Sequence, residues 1–227
     1  MAKVASKGDF ASAPKTERVE HLVIAPPNFK VAAFRIRGTT PLVIHAFPQK
    51  AKEQIHATQE AGSTAKKGRK REAKDFQACY EAAKHVSSDG WCGIHAAAFR
   101  NACISACKLS GFAMTRAKIS IRCLEDGWSK DGATPLVKIT KGEPQYREDA
   151  VRNADKSCDL RARPMWLPGW EAAVRLSFDA DQFTLPDVAN LMMRVGMQIG
   201  ICEGRADSPK SNGCGWGYFA LVEESAT

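Results

Sequence analysis

Hydrophobic positions along this 227-residue chain follow two periods. A period near two marks Phe29–Arg37, where aromatic and β-branched residues mix with outward cations until Gly38 stops the run, and it predicts a first strand. Pro41–Phe47 is a short apolar run, either a second strand or a continuation of the first, ended by Pro48. Thr115–Leu124 sets Ala117, Ile119, Ile121 and Cys123 on one face and Arg116, Lys118 and Arg122 on the other. That alternation predicts a half-buried strand with a basic open side. Pro135–Thr140, Leu160–Trp166 and Trp170–Phe178 read as further strands, with Met197–Cys202 and Trp216–Val222 as the last two. A period near 3.6 appears twice. Ile94, Ala98, Ala102, Cys103, Ala106 and Leu109 predict a helix over 94–109 that Ser110-Gly111 closes. Leu185, Val188, Ala189, Leu191, Met192 and Val195 predict a second, with Thr184 as its cap and Pro186 in its first turn.

The stretches between these runs define the organisation. Residues 1–28 lack a sustained period and read as an N-terminal arm, and 224–227 as a tail. An insertion over about 49–90 has helix-like pieces at Lys50–Glu60 and Asp75–Val86, around a basic, glycine-punctuated middle. Residues 141–158 are polar without a clean period and read as a long connection, a second insertion. Removing both leaves a βαββαβ order, the ferredoxin-like α+β unit, in one domain over 29–223. Such a sheet carries its helices on one face. RNA-recognition modules use the other face for single strands.

Composition sharpens this picture. A net charge of +8 and a pI near 9.1 favour an anionic partner, and the cations cluster: Ala65–Lys74 holds six against one acid. No apolar run approaches the ~18 residues of a membrane helix, and the first ten residues contain no signal-peptide core, so a cytoplasmic protein without membrane contact is expected. The eight cysteines form no CxxC pair, and no histidine follows them at zinc-finger distance, so no metal, cofactor or disulfide is expected. Cys103 and Cys107, with Ala102 and Ala106 beside them, read as small-residue helix packing. The segment Gly196–Phe219 sets six glycines around Arg205 and Lys210. It has neither Gly-Lys-Ser/Thr nor a strand–GxGxxG–helix order, which excludes a P-loop or dinucleotide cradle. Its glycines point instead to close approach of backbone to another surface.

Three places resemble the RAMP superfamily, in particular the backbone subunits of CRISPR effector complexes and their phage-encoded relatives. Gly93–Ala102 (GIHAAAFRNA) is similar to the family's small-residue turn into a helix whose arginine faces the guide RNA. The insertions fall after the first strand and between the middle strands, where the family grows its palm and thumb. Gly196-x3-Gly200-x2-Glu-Gly-Arg205, followed by Gly213-x-Gly-x-Gly217-Tyr-Phe, looks like the family's C-terminal glycine-rich loop. No acid is assignable as the target-cleaving residue of some members. The resemblance therefore implies a non-catalytic, RNA-coating subunit of an oligomeric ribonucleoprotein, with copies of itself and other effector-complex subunits as partners.

Under that reading, single-stranded RNA or DNA runs along the sheet face and the helix at 94–109. The candidate nucleic-acid-binding residues are Lys66, Lys67, Arg69, Lys70 and Arg71 in the insertion, then His95, Arg100, Arg116, Lys118, Arg122, Arg161 and Arg163, then Arg205, Lys210 and Trp216 in the glycine-rich segment. Trp216 is the preferred base-stacking residue, whereas Phe34 and Trp170 sit in alternating strands and are expected in the core; Trp166 is a further aromatic candidate. Two alternatives stay open. One is a metal-independent RNA endonuclease of the RAMP type using His45, His85 or His95 as acid or base. The other is a phage protein that binds and interferes with a nucleic-acid complex.

Overall fold

The structure is a computed structural model that describes residues 24–46, 53, 56–57, 60, 74–152, 158–207 and 213–222. Its centre is the antiparallel pair of β1 (Phe29–Gly38) and β9 (Glu171–Asp179), in register from Phe29↔Asp179 to Arg37↔Glu171. β10 (Phe219–Leu221) flanks β1. On the far side of β9, β4 (Ile121–Leu124) pairs with Phe178–Arg175 and β6 (Pro135–Lys141) with Ala172–Glu171. The sheet then extends through β3 (Gly93–His95) and β5 (Gly127–Trp128), both antiparallel to β6. A smaller sheet runs in the order β2 (Leu42–Val43), β8 (Cys158–Trp166), β7 (Gln145–Arg152). The fold is mixed α and β with antiparallel sheets.

Side-chain alternation decides which face of the main sheet is buried. Ala32 and Ile36 of β1, Ala172, Val174, Leu176 and Phe178 of β9, Ile121 and Cys123 of β4, and Phe219 of β10 all enter one core. Helix α2 (Ala96–Leu109) covers them with Phe99, Ala102, Cys103, Ala106 and Cys107. Helix α4 (Leu185–Arg194) adds Val188, Leu191 and Met192, and a π turn (Val195–Ile199) prolongs it. Thr184 closes a reciprocal capping box with Asp187 at that helix's start, as the Thr-Leu-Pro-Asp sequence predicts. Cys103 Sγ lies 3.9 Å from Met192 Sδ, so the cysteine packs as a small apolar group, and burial raises its thiol pKa. Helix α1 (Phe76–Ala82) lies against β8, and Tyr80 meets Tyr146 of β7 at 5.3 Å between ring centroids. No helix among the described residues is long and apolar enough to cross a membrane.

Four elements depart from the sequence expectation. Thr115–Ser120 is not strand but the body of helix α3 (Met114–Ser120), and only Ile121–Leu124 is extended. Met, Arg, Ala and Lys are strong helix formers, and Ile119, assigned by alternation to the buried face, is 78% exposed. The connection over 141–158 is largely β7, which β8 pairs along its length and Tyr80 covers. Met197–Cys202 is helical turn and loop, and Gly93–His95 is strand ahead of the helix. In the two predicted helices, Leu109 and Leu185 lie outside the buried stripe, at 55% and 56% exposure. Of the basic insertion, Ala65–Ala73 lies outside the described residues.

Gly38 tests how tightly the β1 end is packed. A Cβ there would fall within the indole of Trp170, a fully buried residue whose Nε1 donates to Thr40 O at 2.9 Å. Gly38→Ala is expected to cost about 1–3 kcal/mol through forced repacking, read as a lower urea midpoint at unchanged slope.

Candidate nucleic-acid interface

The register that buries one face of the main sheet exposes the other. Its outward positions are Val31, Ala33, Arg35 and Arg37 on β1, Ala173 and Arg175 on β9, and Arg122 on β4, all exposed. Ser177 lies among them, 6% exposed between Val31 and Arg122. Two of the arginines are tied down. Arg37 Nε donates to Glu171 at 2.9 Å and, with Lys141 at 3.4 Å, holds that carboxylate below its ordinary range. Arg175 donates to Glu125 O at 2.6 Å and to Asp126 at 3.1 Å. Arg35 and Arg122 form no ion pair among the described residues.

At one end of this face a groove of about 360 Å³ opens where α3 turns into β4. Arg100, Lys118 and Arg122 bring three cations to its walls, beside Phe29, Ile119 and Ser177. Arg100 reaches it from α2 by donating to Lys118 O at 2.5 Å, which ties the helix side chain to the sheet edge. Phe29, 48% exposed, supplies an aromatic surface at the first residue of β1. Cations around an exposed ring, on an open sheet face, are what a single nucleic-acid strand needs: charge for phosphates and a π surface for a base.

No protein-family model matches the chain, and no curated protein matches it in sequence. The functional reading therefore rests on the residues of the site.

Arg100, Lys118 and Arg122 are the sequence-predicted residues that the fold gathers. The others are spread apart. Arg116 leans on Phe112, 5.2 Å from its ring centroid, and donates to Gln182. Arg161 and Arg163 belong to the β7–β8 hairpin; the Arg163 side chain is 5% exposed and pairs with Glu203 at 3.2 Å. Arg205 donates to Cys202 O at 2.9 Å. Trp216 is half-buried, with the Arg147 guanidinium 5.0 Å from its ring centroid. Trp166 and Trp170 are buried and Phe34 packs on the core, so none of the three faces a strand. Lys66, Lys67, Arg69, Lys70, Arg71 and Lys210 lie outside the described residues. Phe29 was missed because alternation alone assigns the first residue of a strand to neither face with authority; the register to Asp179 does so.

The glycine-rich segment approaches the protein's own chain. A Cβ on Gly204 would enter the Trp216 ring, and one on Gly217, at φ +74°, would meet the Ile201 carbonyl. Gly217 N donates to Pro41 O at 2.7 Å and Glu203 N to Val43 O at 3.1 Å, which fastens the segment across β2. Gly204 and Gly217 serve this fold-back, which a side chain would block.

Three histidines come close together beside the start of α2. His85 and His95 meet edge-on, 6.0 Å between centroids, and His95 Nδ1 caps the helix by accepting from Ala97 N at 3.0 Å. Burial pushes His85 down to about 4, reinforced by His95 and His45. Burial likewise lowers His95 and, against the pull of Glu203, His45. All three are held neutral in the fold but protonate in the unfolded chain below their ordinary value of about 6.5. Their contribution to stability is thus complete above that value and declines as pH falls toward 4. Thermal melts should give a lower Tm at pH 5 than at pH 7, with His85→Asn narrowing the gap. An equal wild-type Tm at both would contradict this.

Proposed function

We propose that this chain is a non-catalytic single-stranded nucleic-acid-binding protein, most suited to RNA, that lays the strand across the uncovered face of its main sheet. The observation that carries the reading is the groove joining Arg100, Lys118 and Arg122 to the exposed Phe29. Two helices close the opposite face, so the open one is the surface left for an extended ligand. The fold half of the reading is a ferredoxin-like, RRM-like core. Its support is the strand order β10-β1-β9-β4, with α2 between β1 and β4 in sequence and α4 between β9 and β10. On this reading β3 is an elaboration after the first strand, and β5, β6 and the β7–β8 hairpin are elaborations between the two middle strands, the two places where the RAMP resemblance expects insertions. The same resemblance supports a subunit repeated along the strand in a ribonucleoprotein of the CRISPR effector type.

The histidine cluster favours a second reading, RNA cleavage by acid–base chemistry. The His85–His95 contact brings two imidazoles together, and His45 Nδ1 is buried without a partner. One imidazole would take the 2′-hydroxyl proton while another, charged only at acidic pH because burial lowers all three, protonates the departing 5′-oxygen, which needs no metal. Labelled RNA left intact by the protein at both pH 5 and pH 7 rules this out; cleavage abolished by His45→Ala or His85→Ala replaces the first reading with it.

Salt dependence tests the binding reading. Affinity for a short poly(U) strand, followed by fluorescence anisotropy, should fall steeply as salt rises. The triple charge reversal Arg100→Glu, Lys118→Glu, Arg122→Glu should lower the slope of log K against log salt by roughly 0.7 for each phosphate left without its cation. A flat wild-type response, or a variant slope equal to that of the wild type, would sink it.

A further inference from the structure

Ser177 is the polar residue of the groove to which the cations give no role. It stands on the outward row of β9, with Val31 of β1 on one side and Arg122 of β4 on the other. It lines the groove and is 6% exposed, so its hydroxyl lies at the floor and not on a wall. That hydroxyl forms no hydrogen bond with any other group among the described residues. A strand that displaced water from this floor would leave the hydroxyl dry and unpaired, a loss that only a polar group of the ligand offsets. Charge around Ser177 is one-sided. Arg100, Lys118 and Arg122 stand toward α3 and β4, whereas the β1 side carries the exposed Phe29, whose cross-strand partner is the acid Asp179. A phosphate is drawn to the first side and repelled from the second. Phe29 and Ser177 are diagonal neighbours, about 7–8 Å apart. A base on Phe29 and a phosphate on the cations therefore set the sugar between them over Ser177.

We propose that Ser177 reads the ribose 2′-hydroxyl of a single strand in this groove and makes the site selective for RNA over DNA. The proposal rests on the single-strand reading above and adds the sugar to it. A serine hydroxyl both donates and accepts, as the 2′-hydroxyl does, so the two pair in either sense. Deoxyribose presents only C–H at that position; it dries Ser177 and returns no hydrogen bond, and a polar floor left unpaired discriminates against such a ligand. Phosphates are common to RNA and DNA, so the three cations alone give no such preference.

The test compares oligo(U) and oligo(dU) of equal length, titrated into the full chain and followed by anisotropy. The wild type should bind the RNA roughly three- to tenfold more tightly, the worth of one net hydrogen bond. Ser177→Ala should bring RNA affinity down to the DNA level without weakening DNA binding. The salt slope should stay as in the wild type, because every phosphate keeps its cation. A second probe needs no variant and so no check on folding: oligo(U) methylated at its 2′-oxygens should bind the wild type no better than oligo(dU). Equal wild-type affinity for RNA and DNA, beside a steep salt response, overturns the proposal and leaves the groove standing. An RNA preference that survives in Ser177→Ala does the same. So does an equal loss for both strands in that variant, which assigns the hydroxyl to a phosphate. No binding by the wild type overturns both the proposal and the reading beneath it.

Discussion

The register between β1 and β9 is the constraint on which the rest of this structure depends. With Ile36 opposite Ala172, Phe34 opposite Val174 and Ala32 opposite Leu176, every second position on both strands turns into the core. The alternate positions, Arg35, Arg37, Ala173 and Arg175, are thereby committed to solvent. A slip of one residue would exchange the two sets, burying guanidinium groups that have nothing to pair with inside and exposing the apolar row. The same register fixes β4, because Ile121 and Cys123 must meet Phe178 and Leu176 on the inner side. Arg122 is then left beside Ser177 on the outer one. The basic face is in this sense a by-product of hydrophobic pairing, and its cations stand where the core leaves them.

The helices complete the separation of faces. α2 and α4 spend their buried positions on one side of the sheet, and Arg100 returns from α2 to the sheet edge through its bond to the Lys118 carbonyl. That bond converts residues eighteen positions apart into one wall of a groove. The ion pairs Arg175–Asp126, in the middle of the face, and Arg37–Glu171, at its far end, partly neutralise it, so positive charge concentrates toward the Arg122 end. Exposed pairs of this kind contribute little to stability, and their effect here is on where an anion is drawn.

Much of this was legible in the chain, for physical reasons particular to each segment. Trp170–Phe178 alternates cleanly, and Thr184-Leu-Pro-Asp carries a helix start in four residues; both appear within a residue of expectation. Arg100, Lys118 and Arg122 were legible as a candidate set from their places off the apolar positions. Thr115–Ser120 misled because alternation of alanine and isoleucine with cations also fits a short helix whose propensities are strong. β7 was hidden because its polar residues pair locally, Arg147 with Asp149 and Tyr146 with Glu148, so the strand carries no apolar row. The glycine-rich segment read correctly as a place of close approach, but the surface approached is Ile201, Trp216 and the turn after β1, which only tertiary structure reveals.

The central claim is that a single strand lies on the uncovered face of the sheet. Ultraviolet cross-linking of bound poly(U), with the modified peptides mapped by mass spectrometry, tests it most directly. The account predicts adducts at Phe29 and in the Lys118–Arg122 stretch. Adducts confined to the α4 side, around Met193 and Met197, would contradict it.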